Sequence, residues 1–212
     1  MLKFFLYNKK GVISWLLSQL ALILATGILL ASIASITFYS DWKKEAEIKA
    51  IAAELASWIY RIDLKIEENI TKFFFPTKDF YYNVSISTDY IIIERYDGRF
   101  KDKIRIAYPL FIKPFVIKEN LDIDWKNGEE LHEKLSNLEL IENRGTINDP
   151  ILSYRKDDTK NYLKNILDEL AKELALQPLQ VNINKPLIIE KCIIYFDDSS
   201  SIGLVIIYQE EG

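Results

Sequence analysis

Cysteine, histidine and methionine occur once each in this 212-residue chain. A lone cysteine excludes an internal disulfide, and with a lone histidine it supplies neither a Cys/His zinc set nor a nucleophile with an evident partner. Glycine and proline are scarce as well, seven and six. Neither occurs from Ile28 to Phe75, so nothing in that stretch breaks a helix. Charge is missing from one block altogether: no Asp, Glu, Lys or Arg lies between Gly11 and Ser40. Lys3, Lys9 and Lys10 precede the block. The other 24 of the 27 basic residues face 31 acidic ones, a net charge of −7 from Asp41 onward. An acidic exterior argues against nucleic acid as a partner, because phosphate binding needs a basic surface.

What is present is a long apolar run. Val12 to Phe38 would extend about 40 Å as a helix at about 1.5 Å per residue, against about 30 Å of bilayer hydrocarbon. Phe4, Phe5 and Tyr7 on one side and Phe38, Tyr39 and Trp42 on the other have the character of interfacial anchors. The three lysines favour a cytoplasmic N-terminus. The expected topology is a single pass through the cell membrane, with everything after Ser40 extracytoplasmic. Ser32-Ile33-Ala34 offers the alternative of a cleaved secretory signal, although the run is much longer than the usual apolar region of about 7 to 15 residues. Gly27, Ala31 and Ser35 recur every four residues, a stripe that lets another transmembrane helix approach closely, although small residues are also common in single spans.

The helical period continues beyond the membrane. Ile48, Ile51, Ala52, Leu55, Ile59, Ile62, Ile66 and Ile70 step by three and four. They predict one helix from near Val12 to about Lys72, stopped by Pro76. The period then changes to two. Tyr82, Val84 and Ile86 alternate with polar residues, and Tyr90–Tyr96 and Phe100–Tyr108 flank Asp97-Gly98, a hairpin pattern. Pro109 and Pro114 make the next segment an edge or a crossing loop. A short strand is expected over Leu121, Ile123 and Trp125, a turn at Asn127-Gly128, and a short helix through Leu131, Leu135 and Leu138. Asp158 or Thr159 should cap a helix carrying Tyr162, Leu163, Ile166, Leu167, Leu170 and Leu174, which Gln177-Pro178 stops. Strands are expected over Leu179–Ile183, Leu187–Phe196 and Ile202–Tyr208. The fold class is α+β: a long transmembrane and amphipathic helix, then an antiparallel β-rich domain with one further helix. By residue, 1–11 is a basic leader, 12–38 the transmembrane helix, 39–75 an amphipathic helical stalk and 76–212 the extracytoplasmic domain.

Few residues suggest chemistry. His132 lies in Glu129-Glu130-Leu131-His132-Glu133 with no second histidine and no nearby cysteine, the pattern of a solvated polar face. Cys192, among isoleucines in an expected strand, reads as a small buried hydrophobe. Asp197-Asp198 lacks the spaced oxygen ligands of a calcium loop and reads as a solvated turn. No catalytic residue, metal site or cofactor is expected. Asn69-Ile70-Thr71 and Asn83-Val84-Ser85 match the glycosylation sequon, with Asn69 and Asn83 as acceptors on the exterior side.

Lys9-Lys10-Gly11, directly before an uncharged helix that continues as an amphipathic helix into a β-rich exterior, resembles the type IV pilin-like proteins of archaea. The resemblance covers about the first seventy residues. In that family a peptidase cuts after a basic leader, the released helices pack as a filament core and the β-rich heads form the outer surface. It implies cleavage between Gly11 and Val12, helix packing through Gly27, Ala31 and Ser35, and pilin helices of its own kind as partners in a homo-oligomer or filament. Many pilins carry Glu at the fifth position after the cut; this chain has Leu16. The function so implied is a non-enzymatic cell-surface structural subunit, pilin-like or minor-pilin-like. The alternative is an unprocessed single-pass anchor whose exterior domain binds a partner in the cell envelope. Paired carboxylates meeting in a cleft would mark a third reading, an anchored enzyme.

Overall fold

The computed structural model describes residues 2–96, 104–118, 123–139 and 141–210. Its first element is a helix, α1 (Leu2–Asp63), which passes without a break through Ser40–Trp58. The chain forms two units that divide between Glu47 and Ile48. In the first, Ile13–Ile36 is the one segment among the described residues long and apolar enough to cross a membrane, and none of it is buried. Four of its five hydroxyls are spent on their own helix. Ser18, Thr26, Ser32 and Ser35 each donate to the carbonyl four residues earlier at 2.8–3.0 Å, the arrangement that satisfies a polar side chain where there is no water. A Cβ on Gly27 would meet nothing within 4 Å, so the Gly27, Ala31 and Ser35 stripe is an open face.

In the second unit, Ile48, Ile51, Ala52, Leu55, Ile59 and Ile62 of α1 are buried in a single hydrophobic core. Full burial of one such aliphatic side chain stabilises by about 1.5–3 kcal/mol, so the packing here outweighs any local helix preference. The helix stops at Asp63 rather than continuing to Lys72. Beyond Ile62 the stripe has no cover: Ile66 is 90% exposed and Ile70 is exposed too. The chain instead forms strand β1 (Asn69–Phe73).

The remaining elements are β2 (Tyr81–Ile86), β3 (Tyr90–Tyr96), β4 (Ile104–Pro109), β5 (Phe115–Val116), α2 (Gly128–Ser136), a 3-10 turn (Ser153–Arg155), α3 (Lys156–Leu176), β6 (Leu179–Val181), β7 (Leu187–Tyr195) and β8 (Ser201–Tyr208). They build two four-stranded sheets, ordered β1-β7-β8-β5 and β4-β3-β2-β6. β2, β3 and β4 are adjacent and antiparallel, with Val84 opposite Ile93 and Ile93 opposite Ile106. The Asp97-Gly98 turn between β3 and β4 lies outside the described residues. Pro109 ends the edge strand β4 and Pro114 precedes the edge strand β5, where a missing N–H does least harm. β1 pairs with β7 from Asn69↔Lys191 to Phe73↔Leu187, and β5 pairs with β8 in parallel.

The class is α+β, as expected, but two α-helices follow α1 among the described residues, not one. No strand forms over Ile123–Trp125; Trp125 is buried in the core against Phe115 instead. Asn127-Gly128 is the start of α2 and not a free turn. α3 begins at Lys156, ahead of the expected caps: Thr159 donates back to the Arg155 carbonyl at 3.0 Å, and Asp158 pairs with Arg155. Gln177 closes α3, as Gln177-Pro178 predicts. The central strand β7 is buried from Leu187 to Ile194. It carries three polar groups, Glu190, Lys191 and Cys192, into that environment, and each must find a partner there.

Candidate functional site

The site begins with the first turn of α2. Asn127 caps it, its Oδ1 accepting from the Glu130 amide at 2.9 Å, while Glu130 Oε2 accepts from the Lys126 amide at 2.7 Å. This reciprocal pairing is a variant of the capping box. Gly128 can lie against β7 because it has no side chain: a Cβ there would stand 3.2 Å from Cys192 Cβ and closer still to Glu190 Oε1. The Gly128 amide donates to Glu190 Oε1 at 3.1 Å, so a helix N-terminus faces a buried carboxylate, as the helix dipole favours. Glu190 Oε2 is sealed from water with no hydrogen-bond partner among the described residues. Burial raises the Glu190 pKa, against the opposing effects of the Gly128 amide and the neighbouring Tyr208 hydroxyl. Burial, and then Glu190 beside it, raises Tyr208 as well.

One turn further along α2, His132 is buried rather than solvated. Gly128, Leu131, His132 and Leu135 form the inward face of the helix. His132 Nδ1 lies 2.7 Å from the Arg144 carbonyl. A carbonyl only accepts, so Nδ1 carries the proton and, in the neutral ring, Nε2 presents a bare lone pair. That Nε2 stands 3.4 Å from Cys192 Sγ and 3.3 Å from Glu68 Oε1. The expectation that no cysteine is near His132 is therefore corrected: β7 supplies one from sixty residues downstream.

Glu68 enters from the residue before β1. Extending the pairing Asn69↔Lys191 by one step places Glu68 opposite Cys192, and the Ile193 amide donates to Glu68 Oε1 at 3.4 Å. The three donor atoms, Glu68 Oε, His132 Nε2 and Cys192 Sγ, all lie within 4.8 Å of one another and could hold one metal ion. Cys192 and His132 are buried, while the Glu68 side chain is 52% exposed. Burial, reinforced by Glu68 and Glu190, pushes the Cys192 thiol up, so without a cation beside it the sulfur keeps its proton. Cys192 is buried among apolar neighbours, as its sequence context predicts, yet it also belongs to this polar cluster. Lys191 points elsewhere, to Asp63 at the end of α1. Gly203 on β8 leaves it room: a Cβ there would come within 2.6 Å of Lys191 Nζ.

The other residues singled out in the sequence lie apart from this cluster. Gly11 and Val12 fall within α1. Asn69 opens β1, half-buried, its Oδ1 accepting from the Thr71 hydroxyl at 3.0 Å. Asn83 is exposed on β2, its Nδ2 donating to the Tyr96 hydroxyl at 3.3 Å. Asp197 accepts from the Ser153 amide at 2.7 Å, and Asp198 accepts from the Ser200 amide and pairs with Lys156. These contacts tie the turn to the start of α3. A separate cavity of about 850 Å³ lies beside Tyr208, lined by Lys118, Lys126, Glu130, Gln177, Gln180 and other residues. Compared with known proteins, the chain matches no family model, no curated protein and no solved structure.

Proposed function

We propose that the chain is a non-enzymatic structural subunit of the cell surface, pilin-like in plan, whose N-terminal helix sits in the membrane and associates there with other helices. One observation supports this reading above the rest. A single uninterrupted helix carries an apolar, wholly uncovered segment, Ile13–Ile36, and then supplies Ile48, Ile51, Leu55, Ile59 and Ile62 to the core of a β-rich unit. A helix rooted in this way cannot pull free of its head when it passes from lipid into a helical bundle. The open Gly27, Ala31 and Ser35 stripe suits close helix approach, and the sequence Lys9-Lys10-Gly11 suits processing before Val12.

The experiment is N-terminal sequencing of the mature protein from a host that has the leader peptidase. A Val12 start supports the proposal. A Met1 start moves the assignment to an unprocessed anchor with an extracytoplasmic binding domain, which the cavity beside Tyr208 favours. A Ser35 start points to a cleaved secretory signal. Gly11→Val should block the first of these outcomes while leaving the protein inserted, since the apolar span is untouched.

A further inference from the structure

We propose that Glu68, His132 and Cys192 form a binding site for one thiophilic divalent cation, with Zn²⁺ the best match to a carboxylate, an imidazole and a thiolate converging on one point. The inference is independent of the membrane reading, since all three residues belong to the unit that begins at Ile48. Tetrahedral zinc, with bonds of about 2.0–2.2 Å to nitrogen and oxygen and about 2.3 Å to sulfur, holds its ligands roughly 3.4 Å (N to O) and 3.6 Å (N to S) apart. The observed separations are 3.3 Å between His132 Nε2 and Glu68 Oε1 and 3.4 Å between Nε2 and Cys192 Sγ. Two of the three edges that one ion requires are thus already in place, and the third, between Glu68 Oε and Cys192 Sγ, is no longer than 4.8 Å.

The surroundings support the same assignment. The Arg144 carbonyl fixes the His132 tautomer and aims the Nε2 lone pair at the other two donors, the role an outer-shell acceptor plays for a metal-bound histidine. A lone pair facing a carboxylate oxygen at 3.3 Å is unfavourable unless a proton or a metal ion lies between them. Lys191, the buried cation on the same strand, is engaged with Asp63. A second carboxyl group, Glu190, lies on the Cys192 face of β7 two residues earlier, its Oε2 buried, so the cation's side of the strand is lined with oxygen and sulfur acceptors. On binding, the ion takes the Cys192 sulfur as thiolate, and the thiol proton leaves to solvent. Glu68 is half exposed, so water completes the coordination. Such an ion would clasp the start of β1, α2 and the centre of β7, three segments far apart in the chain.

The competing occupant is a proton on His132 Nε2, donated to Glu68 or shared with Cys192. The two are separated by titrating the full-length protein, solubilised in detergent and stripped with a chelator, with Co²⁺ as a spectroscopic substitute for zinc. The proposal expects one equivalent of Co²⁺ to bind with a thiolate-to-metal charge-transfer band and the intense visible bands of tetrahedral cobalt, both displaced by Zn²⁺. Glu68→Gln, at a half-exposed position, should keep the band and weaken affinity at least tenfold. Cys192→Ser should abolish the band. If the folded wild type takes up Co²⁺ without a thiolate band, or binds none at micromolar metal, the proposal is overturned.

Discussion

The Lys191 ammonium lies 2.7 Å from the main-chain oxygen of Asp63 and 2.9 Å from its Oδ1, so the central strand of one sheet caps the long helix. A cation at a helix C-terminus meets carbonyls that have no partner in the helix and the negative end of the dipole. The contact accounts for a helix that stops at Asp63 although the apolar period runs on.

Lys191→Met should therefore destabilise the unit that begins at Ile48 by about 2–3 kcal/mol. This is below the usual cost of halving a fully buried pair, because the Asp63 side chain keeps 31% of its exposure to water. Asp63→Asn added to Lys191→Met should cost less than the two single changes together. Denaturant unfolding of all four proteins provides the check, and strict additivity would mean that the two groups are not coupled.

Glu190→Gln should raise the melting temperature at neutral pH in the presence of a chelator. The folded-state pKa of Glu190 lies above its ordinary value of 4.5, so the folded state holds the proton longer than the unfolded one. Stability from this group is full below that ordinary value and declines as pH rises through the raised one. The glutamine oxygen keeps the Gly128 hydrogen bond and carries no charge to desolvate. The gain over wild type should shrink to nothing in acid; a constant gain at every pH would contradict the account.

Asp149 should behave in the opposite sense. The Asn143 side chain first, and then the Arg144 amide, hold its carboxyl below the ordinary value of 3.8. Its contribution is present above that value and is lost as pH falls through the lowered one. Asp149→Ala should lower the melting temperature at neutral pH by a few degrees and converge with wild type in strong acid. Because Arg144 also orients His132, the same change should broaden the imidazole resonances in NMR spectra.

Gly27→Leu should leave the melting temperature of the unit that begins at Ile48 unchanged, since a Cβ there meets nothing within 4 Å. Association between copies in lipid should weaken, by roughly tenfold if each close helix approach contributes about 1–2 kcal/mol. Energy transfer between labelled copies in vesicles would measure it, and unaltered association would remove the stripe from the interface.

The helix through Ser40–Trp58, the three adjacent strands and the long β7–β8 pair were all legible, because each is written as a local period of 3.6 or 2. The end of α1 was not. Ile62, Ile66 and Ile70 keep the helical spacing, and only the pairing of Asn69–Phe73 with β7 reveals which of them have cover. Within the cluster, His132 had a readable cue: Gly128, Leu131, His132 and Leu135 fall at i, i+3, i+4 and i+7, an inward face that the acidic neighbours Glu129, Glu130 and Glu133 disguise. Glu68 and Cys192 had none, since a strand pairing across most of the second unit brings them together, and no local pattern records it.

The pairing of β1 with β7 also sets a timetable. β2, β3 and β4 close on their neighbours soon after each is made, but Asn69 must wait for Lys191. Contacts of such high order form late, because a long loop has to close before any of them exists. Until β1 and β8 flank it, Leu187–Tyr195 is an apolar strand with two open edges, the kind of template that recruits other chains into aggregates. The yield of this protein in any expression host should therefore depend less on its greasy first helix than on how quickly its last two strands find the first.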